Sequence, residues 1–213
     1  ASKNDETKHY ISQYDDIIYA TSDTNHANAL RNLGLELSNG QFIAFLDDDD
    51  TWEKNKIIKQ LQCFQNNNIG LCYTGKNITD EKGKLIKYSY KFGKFNSHIK
   101  SIMWDNFIGS TSSIMIKKNI IKKIGNFDEN LPALQDYDLC IRICDQFKVQ
   151  GINEALTNYR YNHSKLQISE IKENFNLSSK IIRKKYSHLP NSFLLRLGLF
   201  QQKLKRRIKN IYE

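Results

Sequence analysis

FIAFLDDDDTW, Phe42 to Trp52, runs an apolar stretch that reads as a buried strand directly into four consecutive carboxylates, Asp47 to Asp50. Two carboxylates about 5 Å apart at an effective dielectric near 20 repel by roughly 3 kcal/mol. The run therefore calls for a positive partner, or else it is a solvated turn with an acidic cap before the next helix. If the strand continues through it, side chains alternate, so Asp47 and Asp49 point one way and Asp48 and Asp50 the other. In open parallel sheets ligands bind at the C-terminal ends of strands. There an Asp-x-Asp pair presents oxygens to a hard divalent cation that also takes substrate phosphates.

Working outward, DETKHYISQY reads as a helix and DIIYATS as a short strand. NHANALRNLGLELSNG is a helix with Ala27, Leu30, Leu33 and Leu37 as its apolar stripe and Gly40 where a C-cap belongs. EKNKIIKQLQCFQNN is amphipathic and IGLCYTG is again a strand. This alternation implies a βαβ arrangement, and hence an α/β fold with a mixed, mostly parallel sheet flanked by helices. KLIKYSYKFG alternates like an antiparallel strand, and SSIMIKK is a short strand. NIIKKIGNFDEN is a helix ending at Gly125, DYDLCIRICDQF a helix with Asp136 at its start, and NEALTNYRYNH the last strand. The expected domain covers residues 1–168, and two helices broken at SHLPNS form a tail over 169–213.

From Lys180 onward there are ten Lys and Arg against the single Glu213, which equals the net charge of +9 for all 213 residues. The preceding domain is therefore near neutral. That balance excludes a nucleic-acid-binding domain. In the tail, Phe193, Leu197, Phe200, Leu204, Ile208 and Ile211 keep a helical spacing. Apolar and basic together, this suits an anionic membrane surface, or else packing on the domain or on a second copy in a homodimer. No apolar run approaches the roughly 20 residues needed to span a bilayer. The four cysteines, Cys63, Cys72, Cys140 and Cys144, lack zinc-ribbon spacing and read as buried free thiols.

The stretch NALRNLGLELSNGQFIAFLDDDDTWEKNKIIKQ resembles the core of family 2 glycosyltransferases with the GT-A fold, on Arg31, Asn32, Gly34, Gly40 and Asp47–Trp52. The later GNFDEN and QDYDLCIR segments match the family's second motif in the same order, so the resemblance covers residues of about 25 to 163. It implies an inverting transfer of a sugar from a nucleotide-diphosphate donor to a hydroxyl of a glycan or lipid-linked acceptor. Magnesium or manganese would sit at Asp47 and Asp49, with Asp50 nearby and Arg31 and Asp48 on the donor side. Asp136 would be the catalytic base, and Gln135 stands where the family usually has Glu. His163 matches a histidine that some members place on the metal or diphosphate. Asp138, with Trp104 and Asn106, is assigned to the acceptor side. Arg142 completes the pattern, and the bland reading of the Asp138–Arg142 pair is a salt-bridged helix start.

Family members begin with a strand–helix–strand unit that has no counterpart here, so the natural polypeptide is expected to be longer. Bacterial surface-polysaccharide synthesis on the cytoplasmic face of the cell membrane is the setting the resemblance and the tail imply. The alternatives are a sugar-phosphate nucleotidyltransferase and a non-catalytic membrane-associated module.

Overall fold

The computed structural model describes residues 5–24, 26–66, 68–161 and 171–212. Its helices are α1 (Asp5–Ile11), α2 (Ala27–Leu37), α3 (Lys56–Cys63), α4 (His98–Trp104), α5 (Lys118–Ile124), α6 (Gln135–Gln146), α7 (Lys172–Lys185) and α8 (Ser192–Tyr212). The strands are β1 (Phe42–Ala44), β2 (Thr51–Trp52), β3 (Ile69–Thr79), β4 (Leu85–Ser89), β5 (Ile114–Lys117) and β6 (Lys148–Arg160). They form one sheet in the order β1-β5-β3-β6-β2, with β4 beside the second half of β3.

The fold is α/β and the sheet is mixed, as expected, but its parallel share is smaller. Among the described residues only β3 and β6 pair in parallel, and the other pairs are antiparallel. β1 and β3 do run the same way, since both are antiparallel to β5. The alternation of the first half thus holds, and β5 from the second half inserts between its strands.

Period-two patterning explains why the central strands are buried on both faces. Leu71, Tyr73, Ile114, Ile116 and Ile43 enter the main core, while Cys72 and Met115 enter a smaller one with Cys63 and Phe64 at the end of α3. The main core also takes Phe175, Ile182 and Tyr186 from the α7 region and Leu195 and Leu199 from α8. The two C-terminal helices and the sheet therefore share one core. All four cysteines are buried and free. Among the described residues no helix is long and apolar enough to cross a membrane.

DIIYATS does not form a strand: residues 15–22 are irregular, with Ile17 and Ile18 exposed. A lone strand leaves its backbone groups unpaired by neighbours, and among the described residues no strand pairs with the outer edge of β1. Helix α2 also stops short of Gly40. Its C-cap is Ser38, whose amide donates to the Gly34 carbonyl at 3.0 Å.

Helix α3 is tied to the sheet by a buried polar network. The Lys56 ammonium donates to Gln60 Oε1 at 2.7 Å and sits 4.1 Å over the Trp52 ring. Gln60 in turn donates to the Cys72 and Ser113 carbonyls at 3.0 and 3.1 Å. Burial pulls the Lys56 amine down from 10.5 to about 8. Between those values the unfolded chain holds a proton that the folded chain has lost, so this group makes stability rise with pH. Measured against Lys56→Met, wild type is expected to gain on the order of 2–3 kcal/mol between pH 8 and 10.5. Equal pH slopes for the two in denaturant unfolding would contradict this.

Candidate active site

The acidic run is a turn. Strand β1 ends at Ala44, and the Asp50 amide donates to the Asp47 carbonyl at 3.1 Å. The strand alternation expected for Asp47 to Asp50 is therefore overturned. Four adjacent carboxylates avoid a ladder position and spread around a bend instead. Asp48 and Asp49 are exposed, Asp47 is half-buried and Asp50 is buried.

Each end of the turn is fastened from far along the chain. Arg31 on α2 donates to Asp47 Oδ1 at 2.8 Å, supplying a positive partner. The Asp47 amide donates to Ser112 Oγ at 3.1 Å, and Trp52 Nε1 donates to the Ser112 carbonyl at 2.8 Å. The Arg160 amide, at the end of β6, donates to Asp50 Oδ1 at 3.1 Å. Burial pushes Asp50 up to about 6, opposed by the Ser112 hydroxyl and the Arg160 amide. Its Oδ2 is buried and has no partner at full hydrogen-bonding geometry among the described residues. Partial burial also raises Asp49, with Asp48 and Asp47 adding to it and its own backbone N–H and Arg160 opposing.

Helix α2 holds more than Arg31. Asn28 Nδ2 donates to the Asp128 and Leu131 carbonyls at 2.7 and 3.2 Å. Asn32 Nδ2 donates to the Phe127 carbonyl at 3.1 Å and to Glu129 Oε1 at 2.8 Å, and its Oδ1 accepts the Phe127 amide at 2.9 Å. These bonds lock the loop that leads into α6 against the helix that carries Arg31. Asn32→Ala leaves the buried Phe127 amide without its acceptor and is expected to cost about 2 kcal/mol. Thermal unfolding checks this, and an unchanged midpoint would contradict it.

That loop delivers Asp136. Leu134, just before α6, adopts φ 60°, a left-handed conformation unusual for a branched residue. Asp136 Oδ1 accepts the Tyr137 amide at 2.8 Å. Burial pushes its carboxyl above the ordinary value, opposed by the Tyr137 amide, Lys76 and Arg31, while Asp47 adds to the rise. The carboxyl thus lies within electrostatic reach of two cations and the acidic turn.

Of the two, Lys76 was not singled out from the sequence. Its ammonium lies 5.2 Å over the Tyr159 ring, and burial lowers its amine, with Asp136 and Asp50 drawing it back up and Lys91 opposing. It packs against Gly109 (φ 96°), where a Cβ would stand 3.0 Å from Nζ, so both conformation and space call for glycine. Ser112 and Arg160 were also missed. A serine or lysine inside a strand-like segment carries no local mark of such a role.

The structure also places Asp138, Trp104 and Asn106. Asp138 is 0% exposed. It accepts from Arg142 Nε and Nη2 at 3.0 and 2.8 Å, from Tyr186 Oη at 2.7 Å and from Lys185 Nζ at 2.9 Å. It points into the core, as the bland reading of a salt-bridged helix start has it. Trp104 lines a separate pocket of 260 Å³ with Lys91, Phe92, Lys94 and Phe107. Asn106 shapes a local turn through Gly109: its Oδ1 accepts the Gly109 amide at 3.2 Å. His163 lies outside the described residues.

The carboxylates of the turn are all hard oxygen donors, and a buried Asp50 oxygen without a partner at full hydrogen-bonding geometry among the described residues is the kind of group a cation would satisfy. Among the described residues no set of three His, Cys, Asp or Glu side chains encloses a metal site. The donors present suit a cation shared with a phosphate ligand, which needs only one or two carboxylates.

The family profile described as "Glycosyltransferase like family 2" matches residues 2–212. An uncharacterized glycosyltransferase of Methanocaldococcus jannaschii is 32% identical over 173 residues, covering 78% of this chain and 58% of that protein. The amylovoran biosynthesis glycosyltransferase AmsB of Erwinia amylovora is 32% identical over 151 residues, covering 67% and 49%. The putative teichuronic acid biosynthesis glycosyltransferase TuaG of Bacillus subtilis is 26% identical over 166 residues, covering 73% and 63%. The chain thus spans about half to three-fifths of the length of these relatives. Among solved structures, S. aureus TarS 1-349 in complex with UDP-GlcNAc superposes with a TM-score of 0.67 at 14% identity, over 98% of this chain and 62% of that one. That likeness bears on fold alone, and it agrees with the GT-A architecture expected from the motifs. With the family profile running over nearly every residue, the chain belongs to the family 2-like glycosyltransferases.

Proposed function

We propose that this site moves a sugar from a nucleoside-diphosphate donor to a hydroxyl of a glycan or lipid-linked acceptor, with inversion at the anomeric carbon. The observation that carries the reading is a half-buried Asp136 carboxyl in the electrostatic field of Arg31, Lys76 and the acidic turn, where Arg31 is bonded to Asp47. Asp136 takes the acceptor proton as the hydroxyl oxygen attacks opposite the leaving group. Its raised pKa makes it a better base than an exposed aspartate. Arg31 and Lys76 place positive charge where negative charge gathers on the departing diphosphate. Magnesium or manganese, held by Asp47 and Asp49 beside Asp50, would supply further charge stabilisation when bound. The UDP-GlcNAc named with TarS and the polysaccharides named with AmsB and TuaG support a nucleotide-sugar donor and a role in surface polysaccharide synthesis.

The test is a screen of nucleotide-sugar donors with magnesium or manganese, reading release of the nucleoside diphosphate. Asp49→Ala is expected to lower turnover by about 10²-fold or more through loss of that electrostatic stabilisation. Equal turnover by Asp49→Ala and wild type would refute the assignment of the turn.

A further inference from the structure

Helix α8 has two opposed faces. On one, Leu195 and Leu199 are buried, and Gly198 lies so close to α4 that an added Cβ would stand 2.2 Å from the Trp104 carbonyl oxygen. Arg206 belongs to the packed side, its guanidinium 4.2 Å from the Phe175 ring centroid. At 3.6 residues per turn, Phe193, Leu197, Phe200 and Leu204 fall within about 60° of one another on the opposite side. They are 58%, 46%, 65% and 47% exposed. Single exposed apolar residues need no explanation, but four large ones in line over three turns form a continuous stripe that is unpartnered among the described residues. Arg196 and Lys205 are exposed on either flank of it.

We propose that this outer face of α8 rests on the surface of an anionic phospholipid bilayer. The stripe would lie at the boundary between headgroups and acyl chains, with the basic rim against lipid phosphates. Charge selects this occupant over a second copy of the chain. Exposed Arg196 and Lys205 flank the stripe and α8 holds no Asp or Glu, so two such faces brought together would repel. The contact is peripheral, since among the described residues no helix is long and apolar enough to cross. It is also independent of the reaction proposed above, because binding is read without substrate.

The full chain is to be sedimented with vesicles of phosphatidylcholine and phosphatidylglycerol in equal parts, and with pure phosphatidylcholine. Binding to the anionic vesicles that weakens with salt is expected. It should fall about tenfold or more in the double variant Leu197→Asp/Phe200→Asp. A second variant, Phe193→Ser/Leu204→Ser, is expected to weaken it in the same direction. Circular dichroism and the unfolding midpoint should hold in both, because these side chains lie outside the core. Three results would overturn the proposal: no binding to anionic vesicles, equal binding by both folded variants, or an oligomer without vesicles that the variants convert to monomer.

Discussion

Asp136→Asn is expected to lower kcat for sugar transfer by about 10² to 10⁴-fold, the usual worth of a positioned general base. The substitution is nearly isosteric, and Asn Oδ1 can still accept the Tyr137 amide that now holds the carboxylate at 2.8 Å. Fold and donor binding should persist, so the loss is to appear in kcat while the donor KM changes little. The pH profile separates this from a structural role. Burial raises the Asp136 pKa above 3.8, so wild-type turnover falls as pH drops through that raised value and the base becomes protonated. Lys76 opposes the rise, so Lys76→Met is expected to shift the acid limb to higher pH. Wild-type kcat in Asp136→Asn would remove the residue from the mechanism.

Asp138→Ala is expected to cost about 3–5 kcal/mol of stability, the range for removing one partner of a buried ion pair. The carboxylate accepts from Arg142, Lys185 and Tyr186 together. Arg142 also donates to the carbonyls of Ile124, Gly125 and Asn126 at 2.8, 2.7 and 2.9 Å. Deleting Asp138 thus strands a guanidinium among carbonyls and a tyrosine hydroxyl in the core. It also loosens the joint between α6, the end of α5 and α7. Denaturant unfolding should show a lower midpoint at similar slope. A loss under 1 kcal/mol would show that the network is dispensable.

These two carboxylates, two residues apart on one helix, illustrate what a motif conveys. Both belong to the same recognisable segment, and nothing local separates them. Asp136 feels the charges of Arg31 and Lys76, whereas Asp138 is turned inward to Tyr186. The partners of Asp138 come from α7 and its C-cap, Lys185 and Tyr186, which no local pattern around α6 encodes.

Period and composition were enough for the helices α2, α3, α5 and α6 and for the strands β3 and β5. An apolar stripe or alternation is a property of neighbouring residues, and burial of that face follows from it. Charge placement along the chain likewise separated a near-neutral stretch from a basic end, and the paired motifs pointed to the family. Strand order and the turn at Asp47 to Asp50 were a different matter. So were the roles of Ser112, Lys76 and Arg160 and the clustering of Asp136 with Arg31. Those rest on pairings such as Asp47 with Ser112 and Asp50 with Arg160, 65 and 110 residues apart. Such contacts exist only once β6 has returned alongside β3 and β2, and no local propensity encodes them.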